Sequence, residues 1–153
     1  MPESATARSE TVMAFDFGEK RIGIAIGETL LGNARPLDTV EAEGGEQRFA
    51  AIGRLIDAWR PARLVVGHPA HADREAPHTF AARCERFARQ LAGRYRLPVE
   101  LADERYSSLV AESRLAGQGL GGRKNKARLD AEAATVILQA WFDEHHALPA
   151  LGH

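Results

Sequence analysis

Two short apolar runs, four residues apart, constrain this chain more than any other feature. Val12 to Phe17 and Ile22 to Ile26 have β-type composition, and Gly18 to Arg21 leaves room between them for a turn only. The pair reads as an antiparallel hairpin. Gly32-Asn33 signals another turn, and Ala34 to Val40 reads as a third strand. Beyond this point the period changes. Gly44-Gly45 breaks the chain before a helix that carries Phe49, Ile52, Ile56 and Trp59 on one face, read as core, and Pro61 ends it. Leu64-Val65-Val66 is short and continuously apolar, the pattern of a strand covered on both faces. A loop from His68 to Pro77 follows.

Phe80, Cys84, Phe87, Leu91 and Tyr95 form the apolar stripe of a second helix, with Arg83, Arg86, Arg89 and Arg94 on its outer face. Pro98 introduces a brief strand, Val99 to Ala102. Ser107 is a candidate N-cap for a helix to about Ala116, and Gly117 to Gly122 is a glycine-rich break. The last helix is expected from about Leu129 to Glu144, with Ala133, Val136, Ile137, Ala140 and Trp141 inward and Pro149 stopping it. The order β β β α β α β α α predicts an α/β fold, a mixed five-stranded sheet with helices on both faces. Strands one, four and five would run parallel, placing their C-terminal ends on the edge where open α/β sheets bind ligands.

The 153 residues fit one domain. We expect a disordered arm over 1–10, one domain over 11–146 and a tail over 147–153. A composition 44% hydrophobic and 27% charged excludes disorder over the whole chain. No apolar run approaches the roughly 18 residues of a membrane span, and no secretory leader opens the chain. The single cysteine, Cys84, excludes an internal disulfide and suits a reducing cytoplasm. The net charge of −1 argues against nucleic-acid binding by bulk charge.

Three acidic positions stand out. Strand alternation puts Val12, Ala14 and Asp16 on one face, so Asp16 ends the first strand pointing toward a helix layer. There a carboxylate needs a cation, a metal or a donor cluster; the plainer alternative is a turn aspartate bonded to hairpin amides. Asp103 and Glu104 compete for a place at the end of the fifth strand, where Glu104–Arg105 also reads as an ordinary surface pair. Asp130 opens the last helix and shares a face with Ala133, Ala134 and Ile137; in the first turn it would also complement the helix dipole. Carboxylates converging on one sheet edge repel, and a hard divalent cation such as Mg²⁺ or Mn²⁺ relieves that repulsion. Ions so held activate water and stabilise the leaving oxygen in phosphodiester cleavage.

Basic residues flank these acids. Lys20 and Arg21 lie in the hairpin turn; Arg123, Lys124, Lys126 and Arg128 precede Asp130 with no acid among them. A solvated basic loop is the plain account of the second group. The functional account makes Lys20, Arg21, Arg105, Lys124 and Lys126 phosphate contacts around the metal-binding acids.

These residues carry a resemblance. Asp16-Phe17-Gly18-Glu19-Lys20-Arg21-Ile22-Gly23-Ile24-Ala25 resembles the D-x-G-x-K-R-I-G-x-A opening of the YqgF family, Holliday-junction-resolvase-like proteins also described as pre-16S rRNA nucleases. Leu64 to Pro69 resembles its V-V-G-x-P strand, Asp103 to Ser108 its D-E-R-x-S/T-S/T motif, and Lys126 through Asp130 to Ala133-Ala134 its terminal K-x-x-x-D-x-x-A-A. The resemblance spans about residues 11–144. It implies a ribonuclease-H-like fold and an acidic triad of Asp16, Glu104 and Asp130, and it is what selects Glu104 over Asp103. It also implies a Mg²⁺- or Mn²⁺-dependent nuclease acting on precursor ribosomal RNA or branched DNA, with ribosomal particles as further partners. One departure stands at His71-Ala72-Asp73-Arg74, where the family has something like N-M-D-G.

Gly117 to Gly122 matches G-x-G-x-x-G but follows a helix, so the dinucleotide reading fails its context. His68, His71 and His78 match no zinc spacing and read as exposed loop histidines. His145-His146 reads as a helix end favoured by the dipole. The Arg83–Arg94 face reads as solvated, with a secondary RNA contact as its alternative. Against the nuclease stand a Holliday-junction resolvase, a non-catalytic ribosome-assembly or nucleic-acid-binding factor, and an actin- or sugar-kinase-like nucleotide binder, for which the chain is too short. Symmetric junction cleavage needs two sites related by a two-fold axis, so the choice of substrate turns on whether the chain is a monomer or a homodimer.

Overall fold

The computed structural model describes residues 9–18, 20–41, 45–68, 80–103 and 123–151. Five strands and three helices lie among them: β1 (Thr11–Asp16), β2 (Arg21–Glu28), β3 (Asn33–Glu41), α1 (Gly45–Trp59), β4 (Arg63–His68), α2 (Phe80–Tyr95), β5 (Val99–Asp103) and α3 (Arg123–Leu151). The strands form one sheet in the order β3-β2-β1-β4-β5. β1 pairs with β2 antiparallel and with β4 parallel, and β4 pairs with β5 parallel. The hairpin and the parallel set are thus both as the apolar runs predict. The expected helix at Ser107–Ala116 and the glycine-rich break lie outside the described residues.

The two faces of the sheet are packed differently, and β2 shows why. Its sequence Ile22-Gly23-Ile24-Ala25-Ile26-Gly27 alternates large with small. The isoleucines join Met13, Phe15, Leu64 and Val66 under α1 and α2, where Phe49, Ile52, Ile56, Cys84, Phe87 and Leu91 complete the larger core. On the other face Ala25 joins Val12, Ala14 and Val65 beneath Ala134, Ile137, Leu138, Trp141 and Phe142 of α3. The small side of β2 lets α3 lie almost on the sheet backbone. A Cβ on Gly27 would come 2.7 Å from the Phe142 ring.

Five expectations need correction. Trp59 is 40% exposed rather than core. It is the last residue of α1, and its ring lies at the surface, 5.9 Å from the Arg35 guanidinium of edge strand β3. The final helix starts at Arg123, not Leu129, and runs past Glu144 to Leu151. Apolar spacing marks a stripe and not the limits of a helix, so it does not fix where the helix begins or ends. Pro149 lies inside the helix, where its missing N–H costs a hydrogen bond in the last turn only.

The inward stripe of α3 is also rotated from the expected one. Ala140 is exposed and Val136 half-buried, while Ala134, Leu138 and Phe142 are buried. Gln139 fixes this rotation. Its side-chain amide donates to the Gly32 carbonyl at 2.8 Å and accepts from the Ala34 N–H at 3.0 Å, clamping α3 to the β2–β3 turn. His145 is not at a helix end. It stacks on Trp141 with ring centroids 3.8 Å apart.

His68 is the fifth correction. It belongs to β4, is 5% exposed, and its Nε2 lies 2.8 Å from Glu85 Oε2 of α2. A buried polar ring needs a partner, and Glu85 supplies it. His71 and His78 lie outside the described residues.

Candidate active site

The C-terminal ends of β1, β4 and β5 meet at one edge, as parallel strands require. Asp16 is the last residue of β1. It follows Val12 and Ala14 in the face series that packs under α3, as the alternation predicts. In the β1–β2 ladder the residue opposite Asp16 is Gly23.

Gly23 places the second acid. A Cβ there would collide with the backbone carbonyl and peptide of Asp130, so only glycine lets α3 come down at this point. Directly opposed residues of an antiparallel pair share a face and lie about 5 Å apart at Cα. Asp130 therefore seats on the strand residue next to Asp16, on the same side of the sheet. Two acids 114 residues apart in sequence are brought together by one missing side chain.

Asp130 is not in the first turn of its helix, because α3 begins at Arg123. The dipole account of this acid does not apply, since that effect fades within the first turn. Its charge is met instead by Arg21, whose Nε donates to Asp130 Oδ2 at 2.6 Å. Both side chains are partly shielded, 31% and 25% exposed. Arg21 thus faces an acid of the site. Lys20 is exposed at the turn beside it.

The remaining sequence-derived site residues, Glu104, Arg105, Lys124 and Lys126, fall outside what can be described of side chains here. Among the described residues there is no cluster of three or more metal-ligating side chains. Asp16 and Asp130 are the two acids of the expected triad that the fold demonstrably gathers.

The sequence model of the RuvX family, described as Holliday junction resolvase, matches residues 10–144. The chain belongs to the RuvX (YqgF) family. A relative from Dechloromonas aromatica (strain RCB), named "Putative pre-16S rRNA nuclease", is 54% identical over 140 residues, covering 91% of this chain and 95% of the relative. One of the same name from Methylobacillus flagellatus is 52% identical over 143 residues, covering 94% and 97%.

Among solved structures, Thermus thermophilus RuvC in complex with a Holliday junction substrate superposes with a TM-score of 0.57 at 18% identity, over 90% of this chain and 96% of that one. Fowlpox virus resolvase, also with a Holliday junction, gives 0.54 at 9% identity over 88% and 97%. At such identities the likeness is one of fold. It makes this RuvX protein ribonuclease-H-like, as its motifs implied. Among the described residues no helix is long and apolar enough to cross a membrane.

The small-residue face of β2 was the signal overlooked in the sequence. Gly23, Ala25 and Gly27 announce a helix in close contact, and Gly23 announces where its acid sits. The Arg21–Asp130 pair had no local signal, because its members are 109 residues apart.

Proposed function

We propose that this chain is a divalent-metal-dependent nuclease that hydrolyses phosphodiester bonds of structured nucleic acid, with 5′-end processing of precursor 16S ribosomal RNA as its activity. The observation that carries this reading is the seating of Asp130 on Gly23, directly across from Asp16. The names of the relatives support the RNA substrate.

Asp16 and Asp130 would hold Mg²⁺ or Mn²⁺, with Glu104 as third ligand. The donor set fits: the donors are carboxylate oxygens, which hard cations prefer, and Asp130 already faces a cation in Arg21. Residues Glu100 and Ala102 of β5 face α3, through the Glu100–Trp141 hydrogen bond at 3.2 Å and the packing of Ala102. Glu104 and the side chain of Asp103 lie outside what is described, and the family resemblance is what selects Glu104. A bound metal supplies Lewis-acid stabilisation of the phosphoryl oxygens and an activated water. The protein's own groups do the rest. Gly23 holds the two acids in fixed relation, Arg21 orients the Asp130 carboxylate and offers its remaining N–H donors to phosphate, and Lys20 adds positive charge at the same turn. Lys124, Lys126 and Arg105 complete the proposed phosphate contacts. The buried thiol of Cys84, the single cysteine and so in no internal disulfide, suits a cytoplasmic setting.

The test is cleavage of a precursor 16S RNA fragment and of a four-way DNA junction by the purified chain in Mg²⁺ or Mn²⁺. Wild type should cut the RNA and lose activity in EDTA, and Asp16→Asn should lose about a thousandfold, the equivalent of several kcal/mol of charge stabilisation. Full activity in Asp16→Asn, or in excess chelator, would overturn the mechanism. Cleavage of the junction alone would overturn the substrate.

A further inference from the structure

Asp16 and Phe17 are neighbours in sequence and belong to opposite faces of the sheet. Asp16 belongs to the α3 side, and Phe17 belongs to the core under α1 and α2. There Phe17 packs on Phe87 with ring centroids 4.9 Å apart. These two rings floor a cleft of about 410 Å³ whose other lining residues are Arg48 of α1 and Arg83, Arg86 and Gln90 of α2. Among the described residues three guanidinium groups line it and no acid does.

Arg48 is the unusual member. Its guanidinium carbon stands 5.0 Å from the Phe49 ring centroid, 5.6 Å from Phe17 and 5.7 Å from Phe87. Cation–π contact holds it in place. Its Nε is buried and, among the described residues, has no hydrogen-bond partner. Burial, and then the charges of Arg86 and Arg94, hold its pKa below the ordinary arginine value. Arg94 is otherwise engaged, 3.0 Å from Glu46 and 4.0 Å above the Phe49 ring. A buried donor without an acceptor and like charges drawn together are both costly. An anion in the cleft relieves the second.

We propose that this cleft holds a backbone phosphate of the substrate RNA strand, a short distance along from the bond cleaved at Asp16. The proposal rests on the nuclease reading for the identity of the strand. Arg48 and Arg86 would grip the phosphate with fixed N–H forks. Since Phe17 directly follows Asp16, a strand crossing the end of β1 passes from the acidic side of the sheet to the basic cleft. The acids then cut while a separate site positions the strand, in a chain whose net charge gives no bulk attraction.

The experiment is fluorescence anisotropy of a short single-stranded RNA against the full chain, in EDTA so that nothing is cut, across a series of salt concentrations. Arg48→Met and Arg86→Ala should each weaken binding about fivefold and lower the slope of log K against log salt by about one. Arg54→Ala, an exposed charge of α1 outside the cleft, should match wild type. Arg86 is exposed on its helix, so Arg86→Ala decides the matter should Arg48→Met not fold. Equal affinity and equal slope for wild type and Arg86→Ala would overturn the proposal. So would protection of wild type against heat by millimolar inorganic phosphate, lost in Arg86→Ala, with RNA affinity unchanged; that result makes the cleft a small-anion site. Binding lost in Arg86→Ala but no cleavage by wild type would sink the nuclease reading and leave the cleft standing.

Discussion

Gly23 lies directly beneath the backbone carbonyl of Asp130, and no side chain larger than hydrogen fits between them. Gly23 is also the residue opposite Asp16 in the hairpin. A single contact therefore sets both the height of α3 over the sheet and the relation of the two acids. Gly23→Ala should cost about 1–3 kcal/mol, the usual range for overpacking, because backbone and not a flexible side chain must move. It should also cost about 100-fold in cleavage, the effect of shifting a catalytic group by about 1 Å. Urea unfolding and a cleavage assay read the two effects. Wild-type stability in this variant would show that α3 does not rest there.

Arg21 and a metal ion would share Asp130. Removing the guanidinium by Arg21→Gln should lower the metal concentration at half-maximal activity by up to about fivefold, since a partly exposed pair is worth at most about 1 kcal/mol. The maximal rate should fall at the same time, as a phosphate donor is lost. A metal titration of activity separates the two. A raised metal requirement would mean that Arg21 supports metal binding instead of competing with it.

His68 and Glu85 tie the end of β4 to α2 at 2.8 Å. Glu85→Leu leaves the buried imidazole short of its partner and should cost about 1–3 kcal/mol. The double variant His68→Leu/Glu85→Leu should cost less than the sum of the single ones, because the imidazole is then not left without its partner. Chemical denaturation of the four proteins measures the coupling. Strict additivity would show that the pair contributes nothing as a pair.

Tyr95 donates to the Phe49 carbonyl of α1 at 2.6 Å. Burial raises its pKa, with the Asp57 and Glu46 charges acting in the same direction and Arg94 opposing. The folded state therefore holds this proton more tightly than the unfolded one. Its contribution is complete below about pH 10, the ordinary tyrosine value, and is lost as pH rises through the higher folded value. Tyr95→Phe should cost about 1 kcal/mol at neutral pH and flatten the decline above pH 10. Parallel pH-stability curves for the two proteins would exclude the linkage.

Strand and helix periods were legible because burial writes them locally. The alternation at Val12, Ala14 and Asp16 assigned the face of the first acid, and the stripe Phe49, Ile52, Ile56 assigned that of α1. His68 was misread as a loop histidine because its partner, Glu85, belongs to the next helix. Trp59 was misread as core because helical spacing does not say where the sheet beneath a helix ends.

The sequence by itself determined the element order, the hairpin, the parallel set and the family motifs that carry the acids, since each is written in residues close together along the chain. Only the tertiary structure decided that Asp130 meets Asp16 through Gly23, that Arg21 faces Asp130, and that Arg48 comes to stand with Arg86 over Phe17. Those relations join residues 31 to 114 positions apart. They exist only once two helix layers have closed on the sheet, where close packing turns a missing methyl group or an unmet donor into a positional constraint.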